Sequence, residues 1–402
     1  MSSAVPLQLL KLQEPQARNP RGFALWALGF RPFYLLAATF AAFTVPLWAL
    51  QFAGVPAIPY FRGVLWHAHE MVFGFAMAVV VGFLFTAGRT WTQQPTPSGR
   101  LLAILCALWL AARVLALTPW LGASALANAA FGFGAAAALG RAFWRARNRR
   151  NYFFVALLVL MTLASLAIHA AEWLQWGWPG WAAAQLGLDV LLFILCVMAG
   201  RVVPMFTNNG VPGAGAARRD VVERIALGSV LALMVCDLLQ LRQVWIFVAV
   251  LGVGCVAHAA RLLLWRPWRV RRNPLVWVLH VGYAWIPLHF ALRALAAAGF
   301  TSSGVATHAL TAGALGGLVI GMMTRTSRGH TARPLRADAC DVASYVLVAA
   351  GAALRVFVPL VAPGLPVAAT VASALVWAGG FAVFAGHYAP WLCRARLDGQ
   401  PG

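Results

Sequence analysis

The chain has 402 residues, of which 62% are hydrophobic and only 10% are charged, and its net charge is +21. A soluble domain carries about 25% charged residues, so this composition excludes an ordinary soluble enzyme and predicts a membrane-embedded protein. The basic residues lie in short clusters between apolar runs, which argues against nucleic-acid binding and is typical of the loops of membrane proteins.

The apolar runs predict an all-α membrane protein with about twelve transmembrane helices, since about 20 apolar residues suffice to cross a bilayer as a helix. In chain order the predicted spans are 33–52, 66–88, 101–117, 120–140, 152–172, 183–207, 221–241, 243–262, 274–298, 304–325, 338–360 and 365–389. They form one polytopic domain over residues 1–402, with short cytoplasmic tails at 1–22 and 392–402.

The arginines predict the orientation of these spans. If the N-terminus is cytoplasmic, nearly all loop arginines fall on the cytoplasmic side. The opposite side receives only Arg62, Arg242, Arg293 and Arg355. This asymmetry predicts that both termini lie inside.

The second span opens with "LWHAHEMVFGF", which places titratable groups at the outer end of an apolar helix. His67, Glu70 and Gly74 are three and four residues apart and should share one helical face. His69 lies about 200° around a regular helix from His67, so the two imidazoles would serve two metals, or one would be structural. Glu70 is the candidate catalytic residue, as a proton carrier or as the group that orients a histidine.

The histidines fall into two layers at the predicted depths. Neutral imidazole is the commonest metal ligand, and ionisable groups inside spans are costly enough to suggest a function. The predicted outer metal set is His67, His69, His169 and His308, the predicted inner pair is His258 and His280, and the weaker candidates are His289 and His330. The alternative is that individual histidines are only interfacial or hydrogen-bonded, which best suits His289 and His387.

Two further motifs carry candidate binding residues. "GRVVPMFTNNG" contains Arg201, followed by Asn208 and Asn209, and "GMMTRTSRGH" contains Arg325. Arginines at this depth can hold carboxylates such as haem propionates, although anchoring at the inner interface would explain them equally well. The six cysteines form no C-x-x-C pair, which argues against covalent haem, iron–sulfur clusters and a disulfide framework.

Seven stretches, in this order, resemble the NnrS family: "LGFRPFYLLA", "WHAHEMVFGF", "GRVVPMFTNN", "LHVGYAW", "HALTAGALGG", "MTRTSRGHT" and "YAPWLCRARLDGQPG". They cover essentially the whole chain. The motif histidines of the family map onto His67, His69, His280, His308 and His330. His169 and His258 resemble less sharply defined positions, His289 and His387 match none, and Ala332 stands where glycine is expected.

The resemblance implies a multi-spanning bacterial inner-membrane protein linked to nitric oxide, denitrification and nitrosative stress, with haem and copper. We expect one or two b-type haems, alone or with copper, and a redox protein that binds or turns over nitric oxide. Ferrous haem binds this gas, and imidazole-ligated copper is a suitable redox partner. Quinol or another electron donor is expected as a partner. The alternatives are an exporter of a nitrosylated or metal-containing small molecule and a haem-binding sensor without turnover.

Within that expectation each layer has a role. The outer histidines hold the reactive metal centre. His258 and His280 hold a second haem, with Arg201 and Arg325 as partners of its propionates.

Overall fold

The computed structural model describes residues 22–55, 63–174, 180–241 and 245–400, and it is helical over nearly all of them. Over these ranges, the long helices are α1 Phe30–Phe52, α2 Val64–Thr92, α3 Gly99–Leu115, α4 Leu121–Arg145, α5 Tyr152–Trp173, α6 Gly180–Gly210, α7 Asp220–Leu238, α8 Trp245–Leu264, α9 Pro274–Ala297, α10 Ser303–His330, α11 Ala339–Val361 and α12 Pro366–Cys393.

In the described part of the chain, ten helices are long and apolar enough to cross a membrane. The other two are α3, which has only 17 residues, and α7, which carries Asp220, Glu223 and Asp237. Every predicted span therefore overlaps a helix, and the prediction of an all-α fold with many helices suited to span a membrane is confirmed. The count of twelve spans and the inward orientation of both termini stay predictions.

Two of the helices contain a π-helical turn. In α2 it covers Glu70–Ala76, directly after His69, and in α10 it covers Ala309–Leu315, directly after His308. A π-helical turn adds a residue and rotates the side chains that follow, and such turns occur frequently at functional sites. Face assignments based on a regular helix therefore fail after His69.

Glycines allow α9 and α10 to approach closely. A Cβ atom on Gly282 would lie 2.7 Å from the Leu318 backbone nitrogen and 2.8 Å from the Gly317 carbonyl carbon. Small residues at such crossings let two helix backbones pack directly against each other, which is a common way for helices to associate in a membrane. This contact sets the spacing of two helices that carry candidate histidines.

The C-terminal segment packs against the start of α1. Arg31 Nη1 donates to the carbonyl oxygens of Leu392 at 2.9 Å and Arg394 at 2.7 Å, which satisfies carbonyls that a helix end leaves unpaired. Ala24 N donates to Cys393 O at 2.8 Å. The predicted C-terminal tail is therefore held against the bundle as far as Leu397, whose N–H donates to Thr331 O at 3.3 Å. Most of the predicted N-terminal tail lies outside the described residues.

Candidate functional site

A cavity of about 740 Å³ lies among α1, α2, α6, α8, α9, α10, α11 and α12 at the predicted outer face. We call it the outer cavity and define it by His67, His289, His308, Arg293 and Arg355, which all line it. The rest of the wall is mostly apolar. Its volume falls within the roughly 300–1,000 Å³ typical of ligand and cofactor sites.

Two of the cavity imidazoles are fixed in one tautomer. His308 Nδ1 donates to Gly304 O at 2.7 Å, and His289 Nδ1 donates to Ala306 O at 2.7 Å. A carbonyl can only accept, so Nδ1 carries the proton and Nε2 keeps its lone pair. His289 Nε2 is buried and has no hydrogen-bond partner within the described ranges. A metal-binding histidine is held in this way by the partner of its other ring nitrogen.

His67 is held by stacking. Its ring lies parallel to that of Trp48, with a centroid distance of 5.1 Å and an interplanar angle of 15°. Met71, one turn further along α2, lines the same cavity. His67 and His308 thus line the same cavity, and their role as metal ligands stays a prediction.

The two cavity arginines differ in their surroundings. Arg293 pairs with Asp237 and lies 3.8 Å from a carboxylate oxygen of Asp189. Arg355 has no ion-pair partner in the part of the chain that the structure describes, and it lies close enough to His67 and His308 to interact electrostatically with both. The cavity thus offers positive charge that suits an acidic group on a ligand.

His69 and His169 lie in a separate cluster, the buried network, defined by His69, Glu70, Arg113, Asn128 and His169. His69 Nδ1 donates to Glu70 Oε1 at 2.8 Å, and Arg113 Nη1 donates to the same oxygen at 2.9 Å. Arg113 also donates to Asn128 Oδ1, and Asn128 Nδ2 donates to His169 Nε2 at 3.3 Å. The rings of His69 and His169 are 4.9 Å apart and nearly perpendicular.

The structure therefore divides the predicted outer layer in two. His67 and His308 line the outer cavity together with His289, whereas His69 and His169 belong to the buried network. Glu70 does not line the outer cavity with His67; its carboxylate accepts from His69 and Arg113 in the buried network.

The inner pair lies among packed aromatic side chains. His258 Nδ1 is 2.6 Å from the Tyr283 hydroxyl. His280 Nε2 is 2.8 Å from Thr207 Oγ1. The Trp265 ring packs against Tyr283 at 4.4 Å and His280 at 6.4 Å. The two imidazoles are thus connected through Tyr283 and Trp265, which the sequence motifs did not suggest as site residues.

One ring nitrogen of His280 is available. Thr207 Oγ1 donates to Val203 O at 2.8 Å, so it accepts the proton of His280 Nε2. The lone pair is then on Nδ1, which is buried and has no hydrogen-bond partner among the residues described. His280 is the inner histidine best suited to bind a metal.

Arg201 and Arg325, predicted as propionate partners of an inner haem, both have contacts within the protein. Arg201 Nη1 donates to Asn151 Oδ1 at 2.8 Å, and its guanidinium lies 5.9 Å from the ring of Trp91. Arg325 lies 3.8 Å over the ring of Phe206. Both side chains are held on the predicted inner half of the bundle.

The remaining candidates have structural partners. The His330 ring packs on Phe30 at 5.6 Å. The Asn208 side chain both donates to and accepts from the backbone of Ala216 at 2.9 Å, which closes the loop after α6. Asn209 is exposed.

In the described ranges, one trio of side chains brings potential metal ligands within 4.8 Å of one another: Asp338, Asp341 and His387. Arg328 Nη2 lies 2.5 Å from both carboxylates, and the Tyr388 hydroxyl donates to Asp341 at 2.7 Å. Burial raises the pKa of Asp338, but the Asp341 backbone N–H, His387 and Arg328 together hold it below its ordinary value. Since Arg328 pairs with both carboxylates and His387 Nε2 lies 3.0 Å from Asp338, we interpret this trio as an ion-pair clamp joining α10, α11 and α12.

The fold and these sites define a polytopic helical membrane protein with a cavity lined by histidine and arginine. The family model described as NnrS protein matches residues 24–396, and the chain belongs to this family. The resemblance found in the sequence motifs is thereby confirmed. A comparison with curated proteins found no match.

Proposed function

We propose that this protein is a haem-bearing redox protein of the bacterial inner membrane that binds or turns over nitric oxide, or a species derived from it, in the outer cavity. Membership of the NnrS family links the chain to the response to nitric oxide. One observation carries the proposal: imidazoles from α2, α9 and α10 and arginines from α9 and α11 line one cavity.

The residues present fit a haem. The volume and apolar wall suit a flat macrocycle, and His289 and His308 each offer an Nε2 lone pair. Arg355, which has no ion-pair partner among the described residues, suits a propionate, whereas Arg293 is already paired with Asp237. His67 is the third imidazole of the cavity and would hold copper or take the place of one of the other two histidines in holding the haem. When bound, ferrous haem supplies an iron centre that binds nitric oxide, and copper adds a second redox metal.

The protein itself holds these groups in place and limits the access of water. The carbonyl oxygens of Gly304 and Ala306 keep the His308 and His289 rings in position. The apolar wall disfavours water and admits nitric oxide, which is small, uncharged and lipid-soluble. A lipid-soluble quinol is the proposed electron donor, because it would reach the protein through the same bilayer.

Glu70 is proposed to hold a proton close to the cavity. Met71 and Val72 line the cavity wall, and Glu70 is the residue before them, buried behind that wall. Reduction of nitric oxide consumes protons as well as electrons. The Glu70 carboxylate accepts hydrogen bonds from His69 and Arg113 and is therefore ionised at rest. It is proposed to hold such a proton only while passing it on.

A second haem is proposed at the inner pair, where His280 offers Nδ1. The ratio of haem to protein decides between one site and two. Two haems per chain in the wild type and one in His280→Ala support the inner site, whereas one haem in both proteins removes it.

Optical spectroscopy and gas consumption of the purified protein test this function. We expect a Soret band that shifts on reduction and again on adding nitric oxide under anaerobic conditions. Consumption of the gas with a chemical reductant would indicate turnover, and its absence with an intact spectral shift would indicate a sensor. A protein without a Soret band that moves a nitrosylated compound across liposomes would be an exporter, and the haem proposal would be wrong.

A further inference from the structure

A second cavity, of about 360 Å³, opens between α5, α6 and α7 on the predicted inner half of the bundle. We call it the inner cleft. Its charged end is formed by arginines and its deeper wall by apolar side chains. The residues that define it are Arg150, Arg201, Arg218, Phe193, Val197 and Leu227.

Arg201 is held rigidly in this cleft. Its Nη1 donates to Asn151 Oδ1 at 2.8 Å, and the guanidinium lies 5.5–5.9 Å from the rings of Trp91, Phe153 and Phe154. The other terminal nitrogen of its guanidinium, Nη2, makes no hydrogen bond to any of the described residues. A guanidinium that is already oriented loses little side-chain entropy when it binds an anion.

The cleft keeps positive charge after its own ion pairs are counted. It contains one carboxylate, Glu223, which accepts from Arg261 Nε at 2.8 Å and from Arg261 Nη2 at 2.5 Å. Arg218 lies 3.4 Å from the same carboxylate. Arg150 and Arg201 have no carboxylate partner within the described ranges, so the mouth of the cleft favours an anion.

The other half of the cleft is apolar and runs deeper into the membrane. Val197 and Phe193 lie about one and two turns before Arg201 on α6, which corresponds to about 12 Å along the helix axis. Leu227 on α7 faces the same space. The cleft therefore joins positive charge at the predicted inner interface to an apolar slot that points towards the bilayer centre.

We propose that the inner cleft binds an anionic phospholipid. Its phosphate would lie against Arg201 and Arg150, and one acyl chain would follow Phe193, Val197 and Leu227. Basic pockets between helices on the cytoplasmic side are suited to anionic lipid head groups. The proposal goes beyond the haem function, since no residue of the cleft lines the outer cavity.

Lipid binding can be measured by native mass spectrometry of the delipidated full-length protein. We expect phosphatidylglycerol to bind more tightly than phosphatidylcholine, and Arg201→Gln and Arg150→Gln each to weaken phosphatidylglycerol binding about fivefold. Arg271→Gln, in the exposed loop before α9, is the matched control and should change nothing. Equal binding of both lipids, or equal losses in Arg271→Gln, would overturn the proposal.

A second variant tests the slot without touching the arginines. Leu227→Trp should fill the acyl site and abolish selective binding of phosphatidylglycerol, while the thermal unfolding temperature shows that the variant is folded. Glycerol 3-phosphate at millimolar concentration provides the last comparison. Glycerol 3-phosphate that displaces the bound lipid as effectively as added phosphatidylglycerol would show that the site binds a soluble phosphate. Normal phosphatidylglycerol binding by Leu227→Trp would show the same, and either result would overturn the proposal.

Discussion

Arg113 donates a hydrogen bond to Glu70 at 2.9 Å within the helix bundle, where only 4% and 2% of the two side chains are exposed. His69 Nδ1 donates to the same carboxylate oxygen at 2.8 Å. When a buried ion pair loses one partner, the other charge stays buried and uncompensated. Replacing both partners leaves no charge buried. The buried network should therefore respond differently to single and double substitutions.

Arg113→Met should destabilise the protein by about 3–5 kcal/mol, because Glu70 would be left charged and buried. The double variant Arg113→Met with Glu70→Leu should recover part of that loss. Thermal unfolding in detergent measures both. The control is Arg396→Gln, which removes an exposed ion pair with Asp398 at 2.7 Å and should cost less than about 1 kcal/mol. A double variant less stable than Arg113→Met would contradict the role of charge balance.

Gly282→Ala should destabilise the protein by about 1–3 kcal/mol, because its methyl group would clash with the backbone of α10. The clash would also push apart the helices that carry His289 and His308. Gly228 on α7 provides a matched control, since a Cβ atom there meets nothing within 4 Å. Gly228→Ala should unfold at or slightly above the wild-type temperature. Equal unfolding temperatures for the two variants would show that the α9–α10 contact is not tight.

Asp338→Ala should lower stability at neutral pH by about 0.5–2 kcal/mol, because Asp338 caps α11 by accepting from Asp341 N. The ordinary pKa of this carboxyl is 3.8, and its pKa in the folded protein lies below that value. The stabilisation is therefore present above pH 3.8 and is lost as the pH falls through the folded pKa.

The measurement is the unfolding temperature of wild type and Asp338→Ala between pH 7 and pH 2.5. The gap between the two curves should be constant above pH 4 and shrink below it. Cys340→Ala, an exposed position in the same helical turn, should follow the wild type throughout. A gap that widens on acidification would be the opposite of the expected sign.

Arg355→Gln should lower the midpoint potential of the haem in the outer cavity by an amount on the order of tens of millivolts. A nearby positive charge favours the more negative, reduced form, so its removal favours the oxidised form. Redox titration of the Soret band gives the shift. Arg336→Gln, in the loop after α10, should leave the potential unchanged. An unchanged potential in Arg355→Gln would place this arginine away from the haem, and a rise would contradict the expected sign.

Most of the fold could be predicted from the sequence because apolar runs and arginine clusters report directly on membrane spans. Each predicted span overlaps a helix. Two helices, α3 and α7, are too short or too charged to count as membrane spans, but they lie where spans were predicted. The π-helical turns could not be predicted, because no local pattern distinguishes "EMVFGFA" from an ordinary α-helical segment.

The candidate site was predicted only in part. Depth along each span grouped the outer histidines, but depth says nothing about the direction in which a side chain points around its helix. Depth alone therefore does not distinguish His69, which lies in the buried network, from His308, which lines the outer cavity. The sequence did carry one unused signal: Arg293 and Arg355 were exceptions on a face with few arginines, and both line the cavity.

The pyridine haemochrome assay on pure protein tests the central claim most directly, because it counts haem per chain without requiring activity. The wild type and His387→Ala, whose histidine lies in the ion-pair clamp, should contain the same amount of haem. Replacing His289 and His308 together by alanine should remove one haem per chain while the protein remains folded. Unchanged haem content in that double variant, or a wild type free of haem, would contradict the account.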